Sequence, residues 1–296
     1  MTARSFRPTA YLPSVVSLTV KVNRYVRRSR VAFGLTKAAA TAPLRALDPT
    51  DLDSWEFSAF SAGGEDGVID YLTRRLLQPD QCFIEIGAAD GLANNTAWLA
   101  LARGFREVMV DGDPRLTRRA RIVTRANPLV KVVALLVDEA NVARVVEAAP
   151  SRTPDVMSLD VDGSDYYIAR GLIALGVRPK LFVVEYNSAF GPDHSCTVPP
   201  VSDGDWPPLY YGVSIGGWRR FFGGLGYRFL GVERTGVNAF FADPTQFSAG
   251  FLEAVRIHPF RENLTQLQRH AGGWEDQFRS IAHMELVDIP DPGAPA

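Results

Sequence analysis

From Asp48 onward the apolar positions fall into short runs, separated by segments whose spacing is helical. The runs at 82–86, 107–110, 130–137, 156–161 and 180–185 are dominated by Val, Ile, Leu, Phe and Met, and each predicts a strand. Between them, 95–101, 115–126, 142–148 and 166–175 carry helical periodicity. Strands that alternate with helical crossovers predict an α/β fold, a doubly wound and mostly parallel sheet. The ending differs. A helix over 214–225 leads to runs at 227–232 and 237–242, joined by Arg234-Thr235-Gly236, and a short glycine-containing connection predicts an antiparallel hairpin. The expectation is a seven-stranded, Rossmann-like sheet closed by that hairpin.

Ahead of the first strand, Ser61-Ala62-Gly63-Gly64-Glu65-Asp66-Gly67 is a glycine loop leading into an amphipathic helix that ends before Pro79. Four segments are expected: a basic N-terminal extension (1–47), the main domain (48–245), a helical extension (246–287) and a flexible tail (288–296). The 296 residues, 46% hydrophobic and 22% charged, suit a soluble globular protein, and no apolar run approaches the roughly 18 residues of a membrane span.

Charge adds an asymmetry. Nine of the 32 Lys and Arg residues fall in 1–47, which holds none of the 33 acids, so the remainder carries 23 basic and 33 acidic residues, a balance of −10. The basic arm reads as a mobile or loosely docked extension, as a surface segment for anionic lipid or a polyanion, or as an organelle-targeting peptide. An acidic body argues against nucleic acid as the partner. Two cysteines are too few for a disulfide framework. The expected location is the cytoplasm, with the arm as a peripheral contact at an anionic inner membrane surface.

The chemistry centres on Glu85-Ile86-Gly87-Ala88-Ala89-Asp90-Gly91, an apolar strand running into a glycine turn. Gly87 and Gly91 let the backbone approach a ligand, and the following helix start is expected to aim free N–H groups at it. A dinucleotide site wants a second glycine where Ala89 stands, and phosphate would lie where Asp90 stands. Carboxylates repel a pyrophosphate and attract the ammonium and sulfonium of S-adenosylmethionine. Asp111, just past the second strand, is placed to accept ribose hydroxyls, and Asp113-Pro114 reads as a helix cap. A parallel sheet closed by a hairpin is also what distinguishes class I methyltransferases from most other doubly wound folds.

The fourth strand ends in Asp160-Val161-Asp162-Gly163-Ser164-Asp165 and the fifth in Glu185-Tyr186-Asn187. Four carboxylates there engage cofactor and acceptor, or Asp160, Asp162 and Glu185 hold a divalent cation such as Mg²⁺. Calcium is dismissed, because no Glu stands at the twelfth position of the loop. Methyl transfer to an alcohol needs a base, and Asp162, Asp165, Glu185 and His194 are the candidates. Asp165 has a helix cap as its alternative role. Tyr186, Asn187, Tyr210 and Tyr211 are candidates for the acceptor wall.

Taken together, Gly64-Glu65-Asp66-Gly67, Glu85-Ile86-Gly87-Ala88-Ala89-Asp90-Gly91 with Asn94-Asn95-Thr96, Asp160-Val161-Asp162-Gly163-Ser164-Asp165-Tyr166, Val184-Glu185-Tyr186-Asn187 and Gly236-Val237-Asn238-Ala239-Phe240-Phe241 resemble the FkbM-like S-adenosylmethionine-dependent methyltransferases, over residues 60–242. The resemblance implies O-methylation of a saccharide, glycolipid or secondary-metabolite hydroxyl. It implies cofactor contacts from Glu85, Gly87, Asp90 and Asp111, with Gly91, Asn95 and Asp160 beside them and Glu65 and Asp66 closing over the methionine end. The family pattern Asp-x-Glu-Gly-Ala-Glu is shortened here to Asp160-Val161-Asp162-Gly163-Ser164-Asp165. The alternatives are a non-catalytic ligand-binding protein of the same fold and a nucleotide-dependent oxidoreductase.

Overall fold

The computed structural model describes residues 15–200 and 207–290, with side chains from residue 25 onward. Its helices are α1 (Val15–Thr41), α2 (Leu52–Trp55), α3 (Glu65–Thr73), α4 (Ala97–Ala102), α5 (Pro114–Val123), α6 (Ala143–Ala148), α7 (Asp165–Ala174), α8 (Ile215–Gly224), α9 (Phe251–Ala254), α10 (Leu264–Arg269) and α11 (Trp274–Ile281). The strands are β1 (Cys82–Ile86), β2 (Arg106–Asp111), β3 (Val130–Ala134), β4 (Val156–Leu159), β5 (Leu181–Glu185), β6 (Cys196–Thr197), β7 (Arg228–Val232), β8 (Asn238–Ala242) and β9 (Val287–Asp288). Seven of them form one sheet in the order β3-β2-β1-β4-β5-β8-β7, and β6 and β9 form a separate pair. Strands β1 to β5 are parallel, while β8 enters antiparallel between β5 and β7. This is the doubly wound α/β sheet closed by a hairpin that the sequence pattern predicts.

Burial on both faces explains why the central strands read as unbroken apolar runs. Ile84, Ile86, Val108, Val110, Met157 and Phe182 point to the face covered by α6, α7 and α8, where Trp218 and Phe222 are fully buried. Their sequence neighbours Phe83, Met109, Val156, Leu181 and Val183 point to the opposite face, against α3, α4 and Trp55. A third cluster around Phe190, Cys196 and Ile281 packs β6 and α11 into a lobe beside the sheet.

Two local differences from the sequence expectation have clear causes. Residues 91–96 are not helical, and α4 begins only at Ala97, because side chains of Glu85, Asp90 and Asn94 take the amides that would start the helix. The expected tail is held further than residue 288. Val287 and Asp288 pair with Thr197 and Cys196, and Ile289 is buried with its N–H on the Ser195 carbonyl. Residues 291–296 lie outside the described residues.

The basic extension is helical from Val15, and residues 1–14 lie outside the described residues. Helix α1 rests on the body through Gly34 and Ala38. A side chain at Gly34 would meet Phe60 Cε1 at 2.6 Å and the Ala59 carbonyl at 2.8 Å. No described helix is long and apolar enough to cross a membrane.

Gly87 turns the chain out of β1 with φ +91°, and a Cβ there would sit 1.6 Å from the Asp160 carbonyl oxygen. Gly104, with φ +69°, faces open space. Gly104→Ala is expected to cost only the left-handed penalty of ~1–2 kcal/mol, whereas Gly87→Ala adds overpacking and costs ~3–5 kcal/mol. Urea unfolding midpoints check this, and equal costs would refute the close approach.

Candidate active site

The connections that leave the carboxyl ends of β1, β2, β3 and β4 enclose a cleft of about 930 Å³. Parallel sheets place their ligand sites at this edge. Gly87 and Leu136 form part of its wall. Asp111, Asp113, Asp138, Asp160 and Asp162 line it, and among the described residues no Lys, Arg or His does. The cleft is therefore a one-signed electrostatic environment.

Asp111 braces the glycine turn. Its Oδ2 accepts the Ala89 N–H at 2.8 Å, holding Ala89 at φ +46°, and its Oδ1 accepts the Asp113 N–H at 2.8 Å. Asp113 in turn caps α5 by accepting the Arg115 N–H at 2.6 Å, as its place before Pro114 predicts. The free amides expected at this turn are already engaged. Gly87 and Ala88 donate to the Val110 carbonyl at 2.9 and 3.0 Å, and Leu92 and Ala93 donate to Asp90 Oδ1 at 3.1 and 3.4 Å. The Asn95 N–H goes to Glu85 at 2.9 Å, and the Ala97 N–H to Asn94 Oδ1 at 2.8 Å. The turn offers no cradle of amides to a phosphate.

Asp90 is committed elsewhere too. Arg27 of α1 donates to its Oδ2 at 2.8 Å, and Arg30 stands 3.5 Å from the same oxygen. Partial burial pushes the Asp90 carboxyl up, but the Arg27 guanidinium and the turn amides outweigh it and hold the group below its ordinary range. Asp90 is absent from the cleft lining, so its place is the joint between turn and helix.

Glu65, Asp66, Glu85 and Asn95 are likewise buried outside the cleft lining. Thr96 Oγ1 also donates to Glu85, whose complete burial raises its carboxyl to about 7. Asn95 Nδ2 reaches Ser158 Oγ at 3.1 Å and Asn238 Oδ1 at 3.4 Å, and Asn238 donates to Glu65 Oε1 at 2.8 Å. Glu65 Oε2 then accepts the amides of Gly63 and Gly64 at 2.8 and 2.9 Å. Asp66 Oδ2 gathers the amides of Ala59, Phe60 and Ser61 at 2.6–3.0 Å, and burial lifts its carboxyl to about 7. The acids expected to touch a ligand thus fold the glycine loop from within. Gly91 serves packing, since a Cβ there would meet Ala120 of α5 at 2.9 Å.

The carboxyl ends of β4 and β5 bring three acids together. Oxygens of Asp160, Asp162 and Glu185 all lie within 4.8 Å of one another. Asp160 and Glu185 are half-buried side by side, so each disfavours the ionised form of the other. Burial first, then the neighbouring carboxylates, raises Asp160 to about 7 and Glu185 well above its ordinary value. Asp162 sits at φ +55° on the turn after β4 and is exposed.

Asp165 takes its alternative role. It accepts the Val161 and Gly163 N–H groups, each at 3.0 Å, and clamps that turn, while burial raises it to about 6. His194 is not brought to the acids. Its Nδ1 is 2.6 Å from the Phe190 carbonyl, and its ring lies on Phe278 in the side lobe. Among the four candidate tyrosine and asparagine residues, Tyr211 faces the triad. Burial, then Glu185, Asp162 and Asp160, push its hydroxyl up. Asn187 fixes this wall by donating to the Leu209 and Tyr211 carbonyls at 2.8 and 2.9 Å. The Tyr186 and Tyr210 hydroxyls are spent on the Arg261 and Glu285 carbonyls.

Two participants escaped the sequence reading. Asp138 directly follows the apolar Leu135-Leu136-Val137 wall, so its position past a third strand was a usable signal. Gln266 donates to Asn187 Oδ1 at 2.9 Å and to the Tyr211 hydroxyl at 3.1 Å from a segment nearly 80 residues away, with no local signal.

No protein-family model and no curated protein matches the chain. Among solved structures it is similar to an O-methyltransferase from Bacillus cereus in complex with SAH, at 20% identity over 58% of this chain and 75% of that one, with TM-score 0.35. It is also similar to the SAH-bound methyltransferase PaMTH1 of Podospora anserina, at 13% identity over 81% and 99% of the two chains, with TM-score 0.43. A third likeness is to the CurJ carbon methyltransferase, at 14% identity over 76% and 69%, with TM-score 0.39. All three TM-scores are below 0.5.

The buried acids give a pH dependence. Asp66, Glu85 and Asp165 have folded-state values raised above their ordinary ones, so the folded chain holds more protons than the unfolded chain across about pH 4.5–7. Stability is expected to fall as pH rises through that window and to level off above it. Denaturant midpoints at pH 5 and pH 7.5 check the sign, and a higher midpoint at pH 7.5 would refute it.

Proposed function

We propose that this chain is an S-adenosylmethionine-dependent methyltransferase that methylates a hydroxyl group. The observation that carries this reading is the cleft with five acids, no basic side chain among the described residues, and a glycine turn whose amides are already engaged. A pyrophosphate would meet repulsion there without compensating donors, so a nicotinamide dinucleotide is a poor occupant. A donor that bears an ammonium and a sulfonium gains from the same field.

Residue by residue, Asp111 retains lone pairs for ribose hydroxyls after bracing Ala89 and Asp113. Asp138, at the rim of the apolar Leu135-Leu136-Val137 wall, suits the exocyclic amine of adenine. Asp160 and Asp162 lie on the cationic side of the donor. When bound, the donor supplies an electrophilic methyl group on a sulfonium. The Asp160–Glu185 pair, raised toward neutrality, is matched to accept the acceptor's hydroxyl proton, and Tyr211 forms the wall opposite. That machinery beyond the donor cleft favours turnover over mere binding.

The resemblance to FkbM-like enzymes supports a saccharide, glycolipid or secondary-metabolite acceptor. A divalent cation is the second form of this site. Asp160, Asp162 and Glu185 offer the hard oxygens that Mg²⁺ takes, close enough to converge, and a cation held there would acidify an acceptor hydroxyl.

Titration calorimetry is expected to show binding of S-adenosylmethionine and S-adenosylhomocysteine and no heat with NAD. Asp111→Ala should weaken donor binding by about 1–3 kcal/mol. An NAD affinity equal to that of the donor, or an unchanged Asp111→Ala variant, would overturn the assignment. Glu185→Gln should lower kcat by roughly 10²-fold or more with donor affinity preserved. Loss of turnover in EDTA, restored by Mg²⁺, would establish the cation form, and indifference to EDTA would leave the Asp160–Glu185 pair as the base.

A further inference from the structure

Helix α1 shows apolar side chains to water as well as to the body. A surface helix in water normally buries its apolar stripe and exposes its charges. Here Gly34 and Ala38 are buried and Val31 and Leu35 half-buried against the body, yet Tyr25 and Phe33 are 74% and 72% exposed and Val26 is 49% exposed. Spacing of three and four residues places Tyr25, Ser29, Ala32, Phe33, Thr36 and Ala40 along one outward stripe. Cations edge the stripe, with exposed Arg28 on one flank and exposed Arg30 and Lys37 on the other, and no acid occurs anywhere in residues 1–47.

A second observation lies on the same face. Tyr25, Val26, Phe33, Phe60 and Leu92 line a mostly apolar groove of about 420 Å³ that opens beside the stripe. An apolar stripe bordered by cations is the pattern of helices that lie in a bilayer interface, with the stripe among acyl chains and the cations at anionic headgroups.

We propose that the outward face of α1 docks this protein on an anionic lipid surface, with acyl chains entering the groove beside Phe33. A second copy is disfavoured, because two such stripes would bring like charges together at their rims. Nucleic acid would leave the apolar stripe uncovered and would meet the acidic body. Arg27 is excluded from the docking set, since it holds Asp90 at 2.8 Å, and Arg30, 3.5 Å from the same oxygen, is excluded with it, which leaves Arg28 and Lys37 as the cations of that set. The same contact fixes the membrane-facing helix against the turn that borders the cleft. The inference does not depend on the reaction proposed above.

The full chain is mixed with vesicles of pure phosphatidylcholine and of phosphatidylcholine containing about 30% phosphatidylglycerol, then sedimented. Binding is expected on the anionic vesicles only. Arg28→Gln with Lys37→Gln should weaken it by about thirtyfold, with an unchanged unfolding midpoint as the control for folding. Because Cys82 and Cys196 are buried, Phe33→Cys can carry a single polarity-sensitive label, and its emission should shift to the blue on binding.

Absence of binding, equal binding to both vesicle types, or an unshifted label would overturn the proposal. So would a concentration-dependent doubling of mass that Phe33→Ser abolishes, which would assign the face to a second copy. Binding of a single-stranded RNA at the affinity of the anionic vesicles would overturn it in favour of nucleic acid.

Discussion

The structure depends on carboxylates that accept backbone amides. Asp66 ties down 59–61, Glu65 holds 63–64, Glu85 holds 95–96, Asp90 holds 92–93, Asp111 holds 89, and Asp165 holds 161 and 163. Each loop at the carboxyl edge of the sheet is too irregular to satisfy its own N–H groups, and an unpaired buried amide is costly. Short acidic side chains supply the missing acceptors. The cost is the desolvation of buried carboxylates, with like-charge repulsion added at Asp66 and Asp160, seen in the raised values of Asp66, Glu85 and Asp160.

The parallel sheet was legible because each central strand is buried on both faces and therefore unbroken in apolar character. The hairpin was legible from Arg234-Thr235-Gly236. Asp111, Asp160, Asp162 and Glu185 could be placed because an acid directly after such a strand must lie at the carboxyl edge. Glu65, Asp66 and Glu85 were legible as important, while their hold on loop amides was not. A buried acid that folds a loop and an acid that meets a ligand have the same local sequence. The Asp90 pairing could not be seen, since Arg27 lies 63 residues earlier and helix α1 carries no mark of where it rests. Its outward stripe was equally hidden, because periodicity reveals two faces without saying which one turns inward.

The cleft and the acid triad are built by different parts of the chain. β1 to β4 supply the cleft, whereas Glu185 ends β5 and Tyr211 comes from the long connection that follows. Asp160 and Asp162 belong to both, so any ligand in the cleft is felt by the carboxylate of Glu185 beside them.

Gln266 gives this division a consequence. It belongs to the closing helical segment, yet it steadies both Asn187 and the Tyr211 hydroxyl. The final tenth or so of the polypeptide therefore acts as a buttress for the pocket's far side while leaving the sheet edge untouched. A change in that buttress would alter what is admitted next to Glu185 while the strands beneath keep their places.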